Sequence, residues 1–184
     1  IYPETQIESL KKISLKIPAG KTLGIIGNIG SGKSTILDLI SRLYDPTEGM
    51  ILIDGFNLKQ YTLNQLRDNI GYVPQNPFLF SETIEDNIRF GMKNASMKDI
   101  IEACKKAAVH ENILEFREGY QTLLGERGVN LSGGQIQRIS IARAIIKNPK
   151  ILLLDDCLSS VDTDTEEEIL KNLSKISKNK TTLI

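Results

Sequence analysis

Residues 27–35 read Gly27-Asn28-Ile29-Gly30-Ser31-Gly32-Lys33-Ser34-Thr35, which fits the pattern G-x-x-x-x-G-K-[ST] of a phosphate-binding loop. The apolar run 22–26 before it has strand character, and residues 35–44 after it place apolar side chains at helical spacing. Strand, glycine-rich loop and helix in this order form the context that the pattern requires. A glycine-rich turn without a ligand is the alternative, and the register of three glycines with a lysine and a serine argues against it.

The residue types of this loop indicate how it would bind a polyphosphate. Glycines let the backbone approach the phosphates without side-chain clashes, so that N–H groups point inward around the anion. The positive end of the following helix adds to the attraction. We therefore expect Lys33 to reach the β- and γ-phosphates and the Ser34 hydroxyl to hold Mg²⁺.

The charge of the chain is balanced, with 23 Lys and Arg against 23 Asp and Glu among 184 residues. That balance gives no general field for nucleic acid or an anionic membrane, so no nucleic-acid partner is expected. The sequence contains no apolar run that approaches the ~20 residues of a membrane span. Cys104 and Cys157, the only cysteines, share no close-spaced motif and are typical of a reduced, cytosolic compartment.

Both ends of the sequence indicate a piece of a longer polypeptide. The sequence begins at Ile1 rather than Met and stops at Ile184, inside the β-rich run 181–184. Because natural proteins rarely end within a strand, we expect truncation at both ends. The lack of a membrane segment then describes this piece only.

The hydrophobic pattern predicts an α/β fold of one domain, residues 1–184. The predicted elements are a partly alternating hairpin over 7–17, strands at 22–26, 50–53, 70–73, 151–154 and 181–184, and helical runs at 35–44, 62–69, 83–118, 131–147 and 163–177. The unbroken apolar run 151–154 is typical of the centre of a parallel sheet. Residues 76–148 are predicted to form a helical subdomain inserted between 1–75 and 149–184, which make up the α/β core with a small antiparallel β subdomain.

Two acidic residues, Asp155 and Asp156, follow the apolar run 151–154 directly. A carboxylate at the end of a buried strand beside a phosphate loop can hold the water shell of Mg²⁺, which is the expected role of Asp155. Asp156 stands where a base would orient the attacking water. Apolar strands that end in Asp are common, so this motif gains its meaning from the phosphate loop.

A third motif reads Leu131-Ser132-Gly133-Gly134-Gln135. By itself it predicts a helix start with Ser132 as the N-cap. It lies about a hundred residues after the phosphate loop and about twenty before Asp155, and in that order it resembles the signature of ATP-binding-cassette (ABC) ATPases. Gln75 matches the Q-loop of that family and residues 159–162 match its D-loop. Tyr2 lies at the spacing of the family's aromatic that stacks on adenine, so the resemblance covers the whole chain.

The resemblance implies a P-loop, RecA-like core that binds ATP and Mg²⁺. In the family, two such domains pack head to tail, and each ATP is held by the phosphate loop of one domain and the signature of the other. The implied roles are the metal site for Ser34, Gln75 and Asp155, and hydrolysis for Lys33, Gln75 and Asp156. A serine, two glycines and a helix N-terminus in residues 131–135 would form a second anion site that needs the γ-phosphate to bind.

Two further stretches resemble ABC exporters. Thr122–Gly128 is similar to the exporters' X-loop, and 76–84 is similar to the groove that receives a coupling helix of their membrane domains. The resemblance implies docking to transmembrane domains through Gln75–Phe80 and Gly125–Gly128, at the cytoplasmic face of the cell membrane. Residues 78–80 are apolar and could equally belong to the core.

Asp156 is a departure from the family, because most competent domains carry Glu there. The shorter side chain retracts the carboxylate by about 1.5 Å, and a misplacement of ~1 Å can cost roughly 100-fold in rate. This resembles the degenerate half of a heterodimeric exporter, with a neutral change in a homodimer as the alternative. An importer's ATPase, a soluble ABC ATPase and a regulatory module with little turnover are the other functions considered. The family's switch histidine would follow Ile184.

Overall fold

The computed structural model describes residues 8–128 and 130–184. Its helices are α1 (Lys33–Ile40), α2 (Leu63–Asp68), α3 (Ile84–Arg89), α4 (Met97–Lys106), α5 (His110–Leu114), α6 (Gly133–Ile145) and α7 (Thr163–Ile176). Its strands are β1 (Thr22–Leu23), β2 (Leu52–Ile53), β3 (Phe56–Asn57), β4 (Ile70–Val73), β5 (Ile151–Leu154) and β6 (Thr181–Leu183). Among these helices, none is long and apolar enough to cross a bilayer.

The main sheet has the strand order β1-β6-β5-β4, and all its neighbouring strands are parallel. β5 therefore lies inside the sheet, where Leu152 stands opposite Gly71 on one side and Thr182 on the other. β2 and β3 form a separate antiparallel pair. The predicted α/β fold, with a parallel sheet, a small antiparallel sheet and helices, is confirmed.

Alternate side chains of β5 enter two different apolar clusters, which places helices on both faces of the sheet. Leu153 packs with Leu37 of α1, while Leu152 and Leu154 pack with the buried side chains of α3, α4 and α6. All three leucines are almost completely buried, and each contributes roughly 1.5–3 kcal/mol through removal from water. The continuous apolar run of β5 is thus explained by burial on both sides.

The predicted hairpin over 7–17 is wrong for the described residues 8–17, which contain no strand. Ile13 and Leu15 are each about half exposed, so the partial alternation of this segment does not mark a buried face. β1 is assigned only to Thr22–Leu23, although the Ile25 N–H donates to the Ile184 carbonyl at 2.7 Å and continues the pairing.

The helical run predicted over 83–118 is divided into α3, α4 and α5. A Cβ at Gly91 would lie 2.1 Å from the Arg143 carbonyl oxygen, so the chain passes α6 too closely for any other residue. α4 then begins behind Ser96, whose side chain forms a capping box with Asp99. β3 was missed altogether, although the Asp54-Gly55 turn before it is a common hairpin signal.

Candidate functional site

The phosphate loop leaves β1 at the carboxyl edge of the sheet and leads into α1. Gly30 and Gly32 have φ values of 79° and 91°, which lie in the left-handed region that favours glycine. A Cβ at Gly27 would lie 2.6 Å from the Ser31 Oγ. The backbone conformation of the loop therefore favours glycine at Gly30 and Gly32, whereas Gly27 lies against a side chain that could move. Such a loop fits a backbone that wraps around phosphate.

Lys33 and the start of α1 supply the positive charge of this loop. The Lys33 Nζ donates to the carbonyls of Gly27 and Asn28, at 2.7 and 3.0 Å. Gly32, the N-cap residue of α1, has no side-chain oxygen that could cap the helix, and the first N–H groups of a helix have no partner within it. An anion in the loop would receive hydrogen bonds from these groups and from the lysine.

The remaining residues of the motif occupy different surroundings. Ser34 is half-buried in the first turn of α1. The Thr35 Oγ1 lies 3.1 Å from the Ser9 Oγ, and Ile29 is fully exposed at the tip of the loop. Tyr2, the predicted adenine-stacking residue, lies outside the described residues.

Gln75, Asp155 and Asp156 meet at the carboxyl ends of β4 and β5. The Gln75 Nε2 donates to the Asp156 Oδ2 at 3.3 Å. Asp155 is 7% exposed, and its backbone N–H donates to the Val73 carbonyl. The structure thus brings the Gln75 side chain to the Asp155-Asp156 pair, which lies about eighty residues later in the sequence.

The pKa of a neighbouring carboxyl group, that of Asp38 in α1, is affected by the negative charge at this edge of the sheet. Burial raises the pKa of Asp38, a hydrogen bond from the Tyr72 hydroxyl opposes the rise, and the negative charge of Asp155 adds to it. Cys157 is also buried, which raises the pKa of its thiol to about 12. The thiol therefore stays protonated at neutral pH and is a poor nucleophile.

The signature motif forms the N-terminus of α6. The Ser132 Oγ accepts from the Gln135 N–H at 3.2 Å, and the Gln135 Oε1 accepts from the Ser132 N–H at 2.9 Å. This capping box confirms Ser132 as the predicted N-cap. A Cβ at Gly134 would lie 2.8 Å from the Ser160 carbonyl oxygen, so the signature packs directly on the D-loop segment of the same chain.

Sequence reasoning missed two polar residues that follow the signature. Gln137 and Arg138 are 3% and 9% exposed, unusually low for their types. Gln137 bonds to residues 159 and 160, and the Arg138 Nη1 donates to the Asn112 Oδ1 at 2.8 Å. Their signal in the sequence is weak, because a polar residue in an amphipathic helix normally indicates an exposed face.

The segment 78–80 is divided between core and surface. Leu79 is fully buried, whereas Phe78 and Phe80 are 49% and 36% exposed. The Arg143 guanidinium lies 5.5 Å from the centre of the Phe80 ring and donates to the carbonyls of Phe78 and Asn87. Burial lowers the pKa of Arg143 to about 10, so its charge is retained at neutral pH beneath an exposed apolar surface.

A sequence model described as "ABC transporter" matches residues 10–159, most of the chain. The chain belongs to the ABC transporter family. It is 50% identical over 183 residues to the uncharacterized ABC transporter ATP-binding protein YknU of Bacillus subtilis (strain 168), covering 100% of this chain and 31% of that protein. It is 47% identical over 180 residues to heavy metal tolerance factor 1 of Caenorhabditis elegans, covering 98% of this chain and 22% of that protein.

The same architecture occurs in a bacterial Atm1-family ABC exporter whose structure was solved with ATP bound. The match has a TM-score of 0.86 and 45% identity, and it covers 89% of this chain and 29% of that chain. These similarities support a nucleotide-binding domain of exporter type. The chain spans about a third or less of the length of the proteins it matches, which carry further segments beyond this domain.

Proposed function

We propose that this domain binds ATP with Mg²⁺, hydrolyses it and thereby powers the export of a substrate across a membrane. The observation that carries the proposal is the meeting of Gln75 and Asp156 at the sheet edge that also bears the phosphate loop. Lys33 and the start of α1 would hold the phosphates. Ser34, Gln75 and Asp155 would bind the metal or its water shell, and Mg²⁺ would neutralise the charge that develops on the phosphates.

Asp156 is the proposed base that orients the attacking water, with Gln75 as its neighbour. The Gln75 amide donates directly to the Asp156 carboxylate at 3.3 Å, which holds the two side chains side by side at the edge where the water would be oriented. Because Asp is shorter than Glu, this site is proposed to be slow. The chain would then be the degenerate half of a heterodimer.

The partner in this proposal is a second ABC domain packed head to tail. The Ser132 hydroxyl oxygen accepts a hydrogen bond from the Gln135 N–H, and its O–H group can still donate one. Together with the backbone N–H groups of Gly133 and Gly134, it would bind the γ-phosphate of ATP held by the partner. Binding of ATP would close the pair, and loss of the γ-phosphate would release it.

The experiment uses the full transporter that contains this domain and compares substitutions of Asp156. Asp156→Asn should change ATP turnover by less than about twofold, because the site is already slow, and Asp156→Glu should raise its rate. Ser132→Ala combined with Gly134→Asp should remove most hydrolysis by damaging the partner's site. If Asp156→Asn removes nearly all turnover, the carboxylate is a working base and the heterodimer proposal is wrong.

Docking on transmembrane domains, at the cytoplasmic face of the membrane, is proposed for the surface Gln75–Phe80 and Gly125–Gly128. The exposed rings of Phe78 and Phe80 support it, since apolar surface with a polar rim favours a protein contact. Glu126→Lys should lower transport more than ATP binding. The matched control is Glu167→Lys on the exposed face of α7, which should change neither. Equal losses of transport and ATP binding for Glu126→Lys would instead indicate a role in the fold.

The division into a core of 1–75 and 149–184 and a helical subdomain of 76–148 is also part of the proposal. The helices α3, α4, α5 and α6 follow one another within 76–148 and share one apolar cluster, which also contains Val73, Leu152 and Leu154 of the core strands.

A further inference from the structure

Gln137 lies one turn after the signature motif on α6 and is 3% exposed. A buried amide must find partners for its N–H and C=O groups, or it costs free energy. The Gln137 Nε2 donates to the Ser159 Oγ at 3.1 Å, and its Oε1 accepts from the Ser160 N–H at 3.0 Å. Both ends of the amide are therefore bound to the two residues at the start of the D-loop segment.

The same hydroxyl continues the network towards the ATP site. The Ser159 Oγ donates to the Asp156 carbonyl at 3.1 Å while it accepts from Gln137, which is within the capacity of a hydroxyl. Asp156 has a φ of 45°, a backbone conformation that disfavours residues other than glycine. Its carboxylate accepts in turn from Gln75. The network therefore runs without a break from Gln75 through Asp156 and Ser159 to α6.

This network joins two groups that, on the proposed function, serve different ATP molecules. Asp156 belongs to the site formed with this chain's own phosphate loop, whereas the start of α6 completes the partner's site. Gly134 packs against the Ser160 carbonyl, so the D-loop segment touches α6 at a second point. A shift of α6 against the core would then move Asp156 as well.

We propose that Gln137 is a positioning residue that ties Asp156 and the D-loop to the signature helix, so that both ATP sites respond to a movement of either. This inference rests on the proposed head-to-tail pairing. Gln137 acts through Ser159 and Ser160 and touches neither ATP molecule. Its loss would release the D-loop segment from the start of α6. Because that helix start completes the partner's faster site, turnover should fall, while the binding of ATP by this chain's phosphate loop is retained.

The test is Gln137→Met in the full transporter, because methionine keeps the length of the side chain and removes both hydrogen bonds. The kcat of ATP hydrolysis should fall about tenfold, less than the ~100-fold that a misplacement of ~1 Å can cost, while the KM for ATP stays within about twofold. Gln137→Glu keeps the acceptor for the Ser160 N–H and should give a smaller loss. Ser159→Ala removes the shared hydroxyl and should lower kcat without adding to the effect of Gln137→Met.

The control is Ser140→Ala, a buried residue of the same helix whose Oγ has no hydrogen-bond partner among the described residues. It should leave kcat, KM and Tm unchanged. An unchanged kcat for Gln137→Met overturns the inference. So does a loss of kcat that is matched by equal losses of ATP affinity and Tm, since that indicates a role in folding. If Gln137→Met does not fold, Gln137→Glu and Ser159→Ala decide by the same criteria.

A cross-link separates this inference from the proposal on which it rests. Ser132→Cys, paired with a cysteine in the phosphate loop of the second domain, should cross-link when ATP is added. If no cross-link forms in the protein that retains Gln137, the head-to-tail pairing is wrong. If one forms and Gln137→Met retains normal kcat, the pairing stands and the role of Gln137 is wrong.

Discussion

Helices α1 and α6 begin in different ways. Gly32, the N-cap of α1, has a φ of 91° and no side chain that could cap the helix. Ser132, the N-cap of α6, forms a capping box with Gln135. The first helix leaves its positive end open to an external anion. The second helix has satisfied part of its N-terminus before any ligand arrives. Two glycine-bearing helix starts in one chain thus differ, because α1 has no side-chain cap and α6 is capped in part by its own side chains.

The glycines of the two motifs also differ in purpose. Gly30 and Gly32 of the phosphate loop have positive φ values, so they are needed for the backbone conformation. Gly133 and Gly134 lie in the first turn of a helix, and Gly134 is needed because a Cβ there would lie 2.8 Å from the Ser160 carbonyl oxygen. The same residue type therefore shapes a loop in one motif and permits a close approach of two segments in the other.

The largest expected effect is that of Lys33→Ala on α1's anion site. Lys33 makes two hydrogen bonds to loop carbonyls that phosphate oxygens would replace. Charge-assisted hydrogen bonds are worth roughly 1.5–3 kcal/mol each, so ATP affinity should fall at least about 100-fold. Nucleotide titration measures it, with the exposed Lys59→Ala as the control that should bind normally. If Lys33→Ala binds ATP with unchanged affinity, the start of α1 is not the anion site, and the contrast with α6 fails.

A medium effect is expected from alanine at one glycine of each motif. Gly30→Ala strains the loop by about 1–2 kcal/mol, because an added Cβ meets no described atom within 4 Å and only φ opposes it. ATP affinity should then fall about tenfold.

Gly134→Ala should show the reverse pattern, because its Cβ would displace the Ser160 carbonyl. ATP turnover should fall about tenfold, while the affinity of this chain's own phosphate loop stays within about twofold. Steady-state hydrolysis and nucleotide titration of both variants test the contrast. If the two substitutions alter the same parameter, the two motifs do not differ in the way their glycines indicate.

The smallest effect concerns the cap of α6. Ser132→Ala should lower the free energy of unfolding by about 1 kcal/mol, as is typical for the loss of a serine N-cap. The matched control is Ser96→Ala, which removes the same kind of capping box from α4. Both should destabilise equally in denaturant titrations, but only Ser132→Ala should lower ATP turnover. A normal turnover for Ser132→Ala would mean that this serine only caps its helix.

Local features of the sequence could be predicted well, and long-range ones could not. The glycine-rich loop, the N-cap at Ser132 and the strand before Asp155 depend on neighbouring residues, and each of them appears in the structure. The hairpin over 7–17 was wrong in its described part, because an alternating pattern does not reveal whether a sheet is present to cover one face. The link from Gln137 to Ser159 spans 22 residues, and no residue of it carries a motif that indicates the contact.

The division of the predicted helical run 83–118 into three helices also depends on long-range contacts. α3 ends at Arg89, just before Gly91, and glycine is a poor helix former. The close approach of Gly91 to the Arg143 carbonyl is a long-range contact that the local pattern does not reveal. Gln75 could be placed near Asp156 only by resemblance to the family. Their 3.3 Å contact depends on the parallel pairing of β4 and β5, which the pattern of either strand alone does not specify.

The strand order makes the completion of the sheet a late event in synthesis. β6 separates β1 from β5, and the Gly20 N–H bonds to the Thr181 hydroxyl across 161 residues. At roughly 5–20 residues per second, β6 leaves the ribosome about 10–30 s after β1. Throughout that interval β1 lacks its β6 neighbour, whereas β5, which ends at Leu154, presents an open edge only for the last roughly 1–5 s. Pairing between strands so far apart in the sequence is slow. A nascent chain stalled before Thr181 would expose both edges to other chains, and its phosphate loop would follow a strand without a neighbour among the strands that the structure describes.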